Sequence, residues 1–154
     1  MTPIREKVPA TLAERLAEQI PGIPVERARR AAPADEDFPR LIVRAGDVTP
    51  NDGTSFGETT YTVTVIVTGY TGAEPDAEDQ DLSCEQALSD LHARVVAALA
   101  AWQPDGVDLN EVREAGTAEF LVYDIEDSAR ALGEFTASFE VESVRPTGHP
   151  YAVS

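Results

Sequence analysis

The residues best equipped for chemistry in this chain are one cysteine, two histidines and a large surplus of carboxylates. Cys84 and His92 lie eight residues apart on one predicted helix. That spacing is about two turns, or ~12 Å of rise, too far for a thiolate and its base to meet. Cys84 therefore reads as a small helix residue. The other histidine, His149, falls in the C-terminal tail, so a histidine-based metal or acid/base site needs that tail to fold back. Asp76, Glu78, Asp79 and Asp81 offer hard oxygen ligands, but the calcium-loop spacing, with its central glycine and terminal glutamate, is absent. A solvated acidic loop is the expectation there. Asp124, Glu126 and Asp127 cluster in a predicted hairpin turn, where aspartate is common for local hydrogen-bonding reasons. No phosphate-cradling GxxxxGK, no GxGxxG after a strand and no glycine–serine–glycine elbow occurs. The expectation is a protein without catalysis, cofactor or metal.

The elements that must position these residues follow from periodicity. Leu12, Leu16 and Ile20 repeat at helical spacing, which predicts a helix over 9–20 with Pro9 in its first turn. Pro21-Gly22-Ile23-Pro24 stops it. Val25 to Ala31 reads as a short strand bearing Arg27, Arg29 and Arg30, and Ala32 to Asp37 as an acidic turn. Phe38 to Ala45 reads as a strand opened by Pro39. Residues 46–57 hold the glycine, proline, Asn and Asp of a turn between paired strands. In the strand Glu58 to Tyr70, Tyr61, Val63, Val65 and Val67 share one face, and Thr60, Thr62, Thr64 and Thr68 form a ladder on the other.

Residues 71–81 are acidic and aperiodic, a mobile loop by expectation, with Glu74 among its carboxylates. Ser83 and Gln86 form a capping-box signature ahead of Leu88, Leu91, Val95, Leu99 and Trp102, which predicts the main helix. Two further strands are expected near Ala118 to Ile125 and Leu132 to Val144, with a loose tail over 146–154. The result is one α+β domain spanning 1–154: a single antiparallel sheet of about four strands with helices packed on one face.

Composition bounds the function. At 154 residues and 42% hydrophobic content the chain can bury one core. Its lone cysteine cannot form an internal disulfide, no apolar run approaches the ~20 residues of a membrane span, and the N-terminus lacks a secretory signal. A soluble, intracellular, reduced protein is expected. The net charge is −16. Residues 1–50 hold eight Arg/Lys against eight Asp/Glu, and residues 51–154 hold four against twenty, so the whole excess lies in the later part. Such a surface repels nucleic acid, since gripping DNA requires Lys and Arg against phosphates.

The strand start Asp37-Phe38-Pro39 within DEDFPRLIVRAGD, its hairpin partner YTVTVIVTGY, the Leu88 to Trp102 helix and the hairpin at Tyr123-Asp124 together resemble the tail terminator family of long-tailed bacteriophages, typified by the lambda minor tail protein U. The likeness in outline covers nearly the whole chain. It implies a virion protein, assembled in the host bacterial cytoplasm. Such a protein forms a hexameric ring of self-associated copies on the head-proximal end of the tail tube, ends tube polymerisation, and joins a head-connector or neck protein. DNA would pass through without specific binding, and no membrane is involved. Under this reading Arg27, Arg29 and Arg30, with Thr60, Thr62 and Thr64, are candidate subunit-interface residues. Glu74, Asp76, Glu78, Asp79, Asp124, Glu126 and Asp127 are candidates for the lumen or an acidic surface. The alternatives are another neck component, such as a head-closure or tail-completion protein, and a small-ligand-binding or enzymatic α+β domain with a polar pocket between sheet and helix.

Overall fold

The computed structural model describes residues 1–28, 34, 38–51, 56–105, 109–124 and 130–152. Apolar side chains four apart, Ile4, Val8, Leu12, Leu16 and Ile20, are all buried and define the inner stripe of helix α1 and its C-cap (α1, Ile4–Gln19). The helix starts five residues before the expected Pro9, which sits inside it. Proline removes one backbone donor there, but Ile4 and Val8 gain core burial worth about 1.5–3 kcal/mol each.

Among the described residues, five strands follow the order β1-β2-β3-β5-β4 in one sheet. Strand β1 (Val25–Arg27) is short and parallel to β2 (Arg40–Asn51), so the sheet is mixed and five-stranded rather than antiparallel with about four strands. A parallel pair cannot be joined by a tight hairpin turn, and twelve residues separate Arg27 from Arg40 in the sequence. β2 forms a hairpin with β3 (Glu58–Gly72), and β3 pairs along its full length with β5 (Ala131–Pro146). β4 (Arg113–Asp124) closes the other side. β4 starts five residues before the expected Ala118, because a register shift between Ala115 and Glu119 hides its alternation. The pairings form straight rows across the sheet: Val25, Leu41, Gly69, Phe135 and Phe120 in one, and Glu26, Ile42, Thr68, Thr136 and Glu119 in the next.

Helix α2 (Gln80–Leu99) packs with α1 on the face that carries Val63, Val65, Val67, Phe135, Ala137, Phe139 and Val141. Gly133 permits this close approach. A Cβ there would stand 2.6 Å from Leu88 Cδ1 and 3.0 Å from Cys84 Sγ. At Gly69 the ring of its row neighbour Phe135 occupies the space a side chain would need. The opposite face is not wholly wet. Phe38, Ile42, Tyr70 and Leu132 form a second small core, joined by Tyr123, at one end of it.

Two segments differ from expectation because distant backbone groups satisfy them. Residues 71–72 complete β3 and 80–81 begin α2, so the expected mobile loop 71–81 reduces to a turn. Asp79 caps α2, its Oδ1 accepting from the Leu82 amide at 3.0 Å, while Ser83 accepts from the Glu74 amide at 2.9 Å. The capping box at Ser83 is thereby displaced by four residues. Gln80 ties the turn down: its side-chain amide donates to the Glu74 and Ala77 carbonyls and its oxygen accepts from the Ala131 amide, each at 3.0 Å. The tail, expected to be loose from Pro146 onward, returns to the chain start. Tyr151 bridges to Pro3, the Ile4 amide donates to the Pro150 carbonyl at 3.0 Å, and the Ala152 amide to the Thr2 carbonyl at 2.8 Å.

Candidate functional site

The sheet face turned away from the helices carries the three threonines singled out from sequence as interface candidates. Thr60, Thr62 and Thr64 lie half-buried along β3 on this face. Their β5 partners are Val144, Glu142 and Glu140. Thr62 is already engaged, accepting from the Asn51 side-chain amide at 2.9 Å. Farther along, Thr68 accepts from Arg44 at 3.2 Å. The carboxylates of Glu140 and Glu142 each lie 3.4 Å from Arg113, and Asn110 donates to Glu142 at 3.3 Å. Such partly exposed pairs fix side-chain geometry and contribute about 0–1 kcal/mol each. The cations of this face on β2 and β4 are therefore committed within the chain: Arg40 to Glu26, Arg44 to Thr68, and Arg113 to the two glutamates. What this face shows to solvent is chiefly hydroxyl and carboxylate, with the half-exposed Arg113 and Leu121 beside them.

The acidic candidates among the described residues gather at one end. Glu74, Asp76, Glu78 and Asp79 are exposed in the turn after β3. Asp124 closes β4 opposite Ala131, and the Ala73 amide donates to the Ala131 carbonyl, so the end of β4 and the acidic turn share this end of the sheet. Glu126 and Asp127 lie outside the described residues, as do Arg29 and Arg30. Arg27 is on the helix-bearing face, and its guanidinium is 3.6 Å from Glu6 of α1 in the same chain. The threonine ladder and Arg27 are thus on opposite faces of the sheet.

Two tyrosines mark the small second core. Burial pushes the Tyr123 phenol up to about 12, with Glu134 and Tyr70 adding to the effect. Burial and Glu134 also raise Tyr70, while Arg44 opposes them. Burial, reinforced by Asp81, raises the Cys84 thiol against the opposing charge of Arg130, which leaves a protonated packing group beneath Gly133. No group of three or more His, Cys, Asp or Glu with metal-binding geometry occurs among the described residues, and no described helix is long and apolar enough to cross a membrane.

Sequence reasoning missed the outer side of β4. Phe120 and Leu121 are 49% and 54% exposed there. His92 meets Phe120 and Phe135 edge to face, with centroids 5.2 and 5.3 Å away. A cleft of about 300 Å³ between α2 and β4 is lined by Glu85, Leu88, Ser89, Phe120 and Val122. The adjacent apolar pair Phe120-Leu121 was the available signal, since neighbouring strand residues point to opposite faces and the helices cover only one face of this sheet.

The described residues define an α+β class, with two helices on one face of a mixed five-stranded sheet. No protein-family model and no curated protein sequence matches the chain. Among solved structures, the chain is similar to one described as "Virion of native gene transfer agent (GTA) particle", at 14% identity over 88% of this chain and 95% of that chain, with a TM-score of 0.49.

Proposed function

We propose that the protein is a structural virion component that acts as a phage tail terminator: a ring of identical subunits that caps the head-proximal end of the tail tube, ends its polymerisation and presents a surface to the neck. No catalytic step is part of this role. The observation that carries the reading is the sheet face built on β3 and β5. It is long, wet and lined by Thr60, Thr62, Thr64, Thr136, Ser138, Glu140 and Glu142, and its cations are held by partners in the same chain. Such a face suits a channel through which DNA slides, because hydroxyls and carboxylates repel or ignore phosphates that outward Lys or Arg would hold. The sequence resemblance to tail terminators supports the same role, as does a net charge of −16 in a chain that would line a DNA passage.

Electron microscopy of tails assembled with and without the protein tests this. Without it, tubes are expected to overrun to variable lengths and fail to join heads. Tails of uniform length in its absence would remove the terminator role.

A further inference from the structure

Strand β4 is an open edge of the sheet: among the described residues no strand lies beyond it. A free edge presents a row of N–H and C=O groups to other chains, and proteins blunt it with proline, lysine, bulges or short length. The opposite edge, β1, is blunted by its length of three residues. In β4 the irregularity lies between Ala115 and Glu119, and Glu119 to Asp124 pairs with β5 in unbroken register. This half reads EFLVYD, without proline or lysine and rich in residues that favour strands. It also leaves the large apolar side chains of Phe120 and Leu121 half exposed. Ala118 and Val122 pack against the main core and Phe120 lies beside His92 and Phe135, so these three are on the helix-bearing face. Glu119, Leu121 and Tyr123 alternate onto the other face, where Tyr123 joins the second small core.

We propose that two copies of this chain dock through this half of β4, antiparallel about a two-fold axis that passes between Leu121 and its mate, so that their sheets become continuous. Such an axis keeps the helices of both copies on one side of the joined sheet, and residues set opposite each other must then share a face. Few registers satisfy that rule. Centring on Glu119 opposes two like charges, and centring on Phe120 sets Leu121 against Glu119 and Val122 against Ala118, inside the irregularity. Centring on Val122 or on Tyr123 sets Phe120 or Val122 against Asp124. Centring on Leu121 pairs Leu121 with Leu121, Phe120 with Val122 and Glu119 with Tyr123, so apolar meets apolar and every paired residue lies in the regular half. Phe120 of each copy then covers Val122 of the other at the cleft of about 300 Å³ that Leu88, Glu85 and Ser89 also line. The edge is its own complement, which is what makes a second copy the occupant. Repulsion between chains of charge −16 is the opposing effect. In this register the two Glu119 residues stand four positions apart along the strands, or about 14 Å, beyond the ~8 Å screening length of physiological salt. A two-fold contact joins copies in pairs and needs none of Thr60, Thr62 and Thr64, so it goes beyond the ring reading and stands or falls apart from it.

The test is cysteine cross-linking and sedimentation equilibrium of the full chain, up to millimolar concentration. The native Cys84 is buried, so a thiol added at the edge reports its own neighbour. Under copper phenanthroline, Leu121→Cys is expected to give a disulfide-linked dimer. Glu119→Cys, on the same exposed edge, should give at least about tenfold less, because its mate lies beyond the ~7 Å that a disulfide spans. In sedimentation the wild-type chain should show a monomer–dimer equilibrium. Leu121→Lys sets two ammonium groups face to face at an exposed site the fold tolerates, and should weaken that equilibrium by at least about tenfold. A wild-type chain that stays monomeric at millimolar concentration overturns the proposal and leaves the edge to a different protein. Association indifferent to Leu121→Lys, or cross-linking of Glu119→Cys equal to that of Leu121→Cys, overturns it as well. Tails of uniform length without the protein remove the terminator role and leave this dimer contact untouched.

Discussion

Tyr123 shows how one side chain's surroundings become a property of the whole fold. Its phenol is held near 12, against an ordinary value of 10, first by burial and then by the charge of Glu134. Below pH 10 the phenol is neutral in both folded and unfolded chains and exerts no pH effect. Between about 10 and 12 the unfolded chain gives up the proton while the folded chain keeps it, so stability falls as pH rises through this window. Urea midpoints measured across it should decline, and less steeply in Tyr123→Phe; identical slopes would refute the assignment. Tyr123 and Tyr70 were legible in the sequence only as strand aromatics. Their contact with Phe38, Ile42 and Leu132 joins four separate segments, and no local pattern encodes such a meeting.

At the scale of elements, the apolar periodicities of β3, α2 and β5 were sufficient to place them, because each buries one face against a single layer. Boundaries were less legible where a partner far along the chain decides them. The start of α2 is the clearest case. Two serviceable caps compete within four residues, and Ser83 is drawn away by the Glu74 amide while Gln80 is fastened to Ala131 of β5. Asp79→Ala should therefore destabilise the protein by about 1 kcal/mol, the usual cost of losing an N-cap, whereas Ser83→Ala should leave the helix start unchanged. Helical chemical shifts of residues 80–83 in the two variants distinguish these outcomes. The first turn of α1 escaped notice for a similar reason: Pro9 signals a beginning, but the tail supplies the Pro150 carbonyl that receives the Ile4 amide.

For the molecule as a whole, the charge of −16 is a standing repulsion that folding must overcome. Added sodium chloride should raise the urea midpoint as the Debye length shortens to about 8 Å near physiological ionic strength; a midpoint indifferent to salt would mean that the carboxylates lie too far apart to interact. By itself the sequence determined the fold class, the four long elements with their buried faces, and the division of charge between the first fifty residues and the rest, because these depend on side-chain type and period alone. Only the tertiary structure decided that β1 runs parallel, that the tail clasps α1, that Arg27 meets Glu6 on the helix-bearing face, and that Phe120 and Leu121 stand at an open edge. The physical reason is the same in each case. Strand order and edge position arise from pairings between residues far apart in the chain, and hydrophobic period is indifferent to which strand lies alongside.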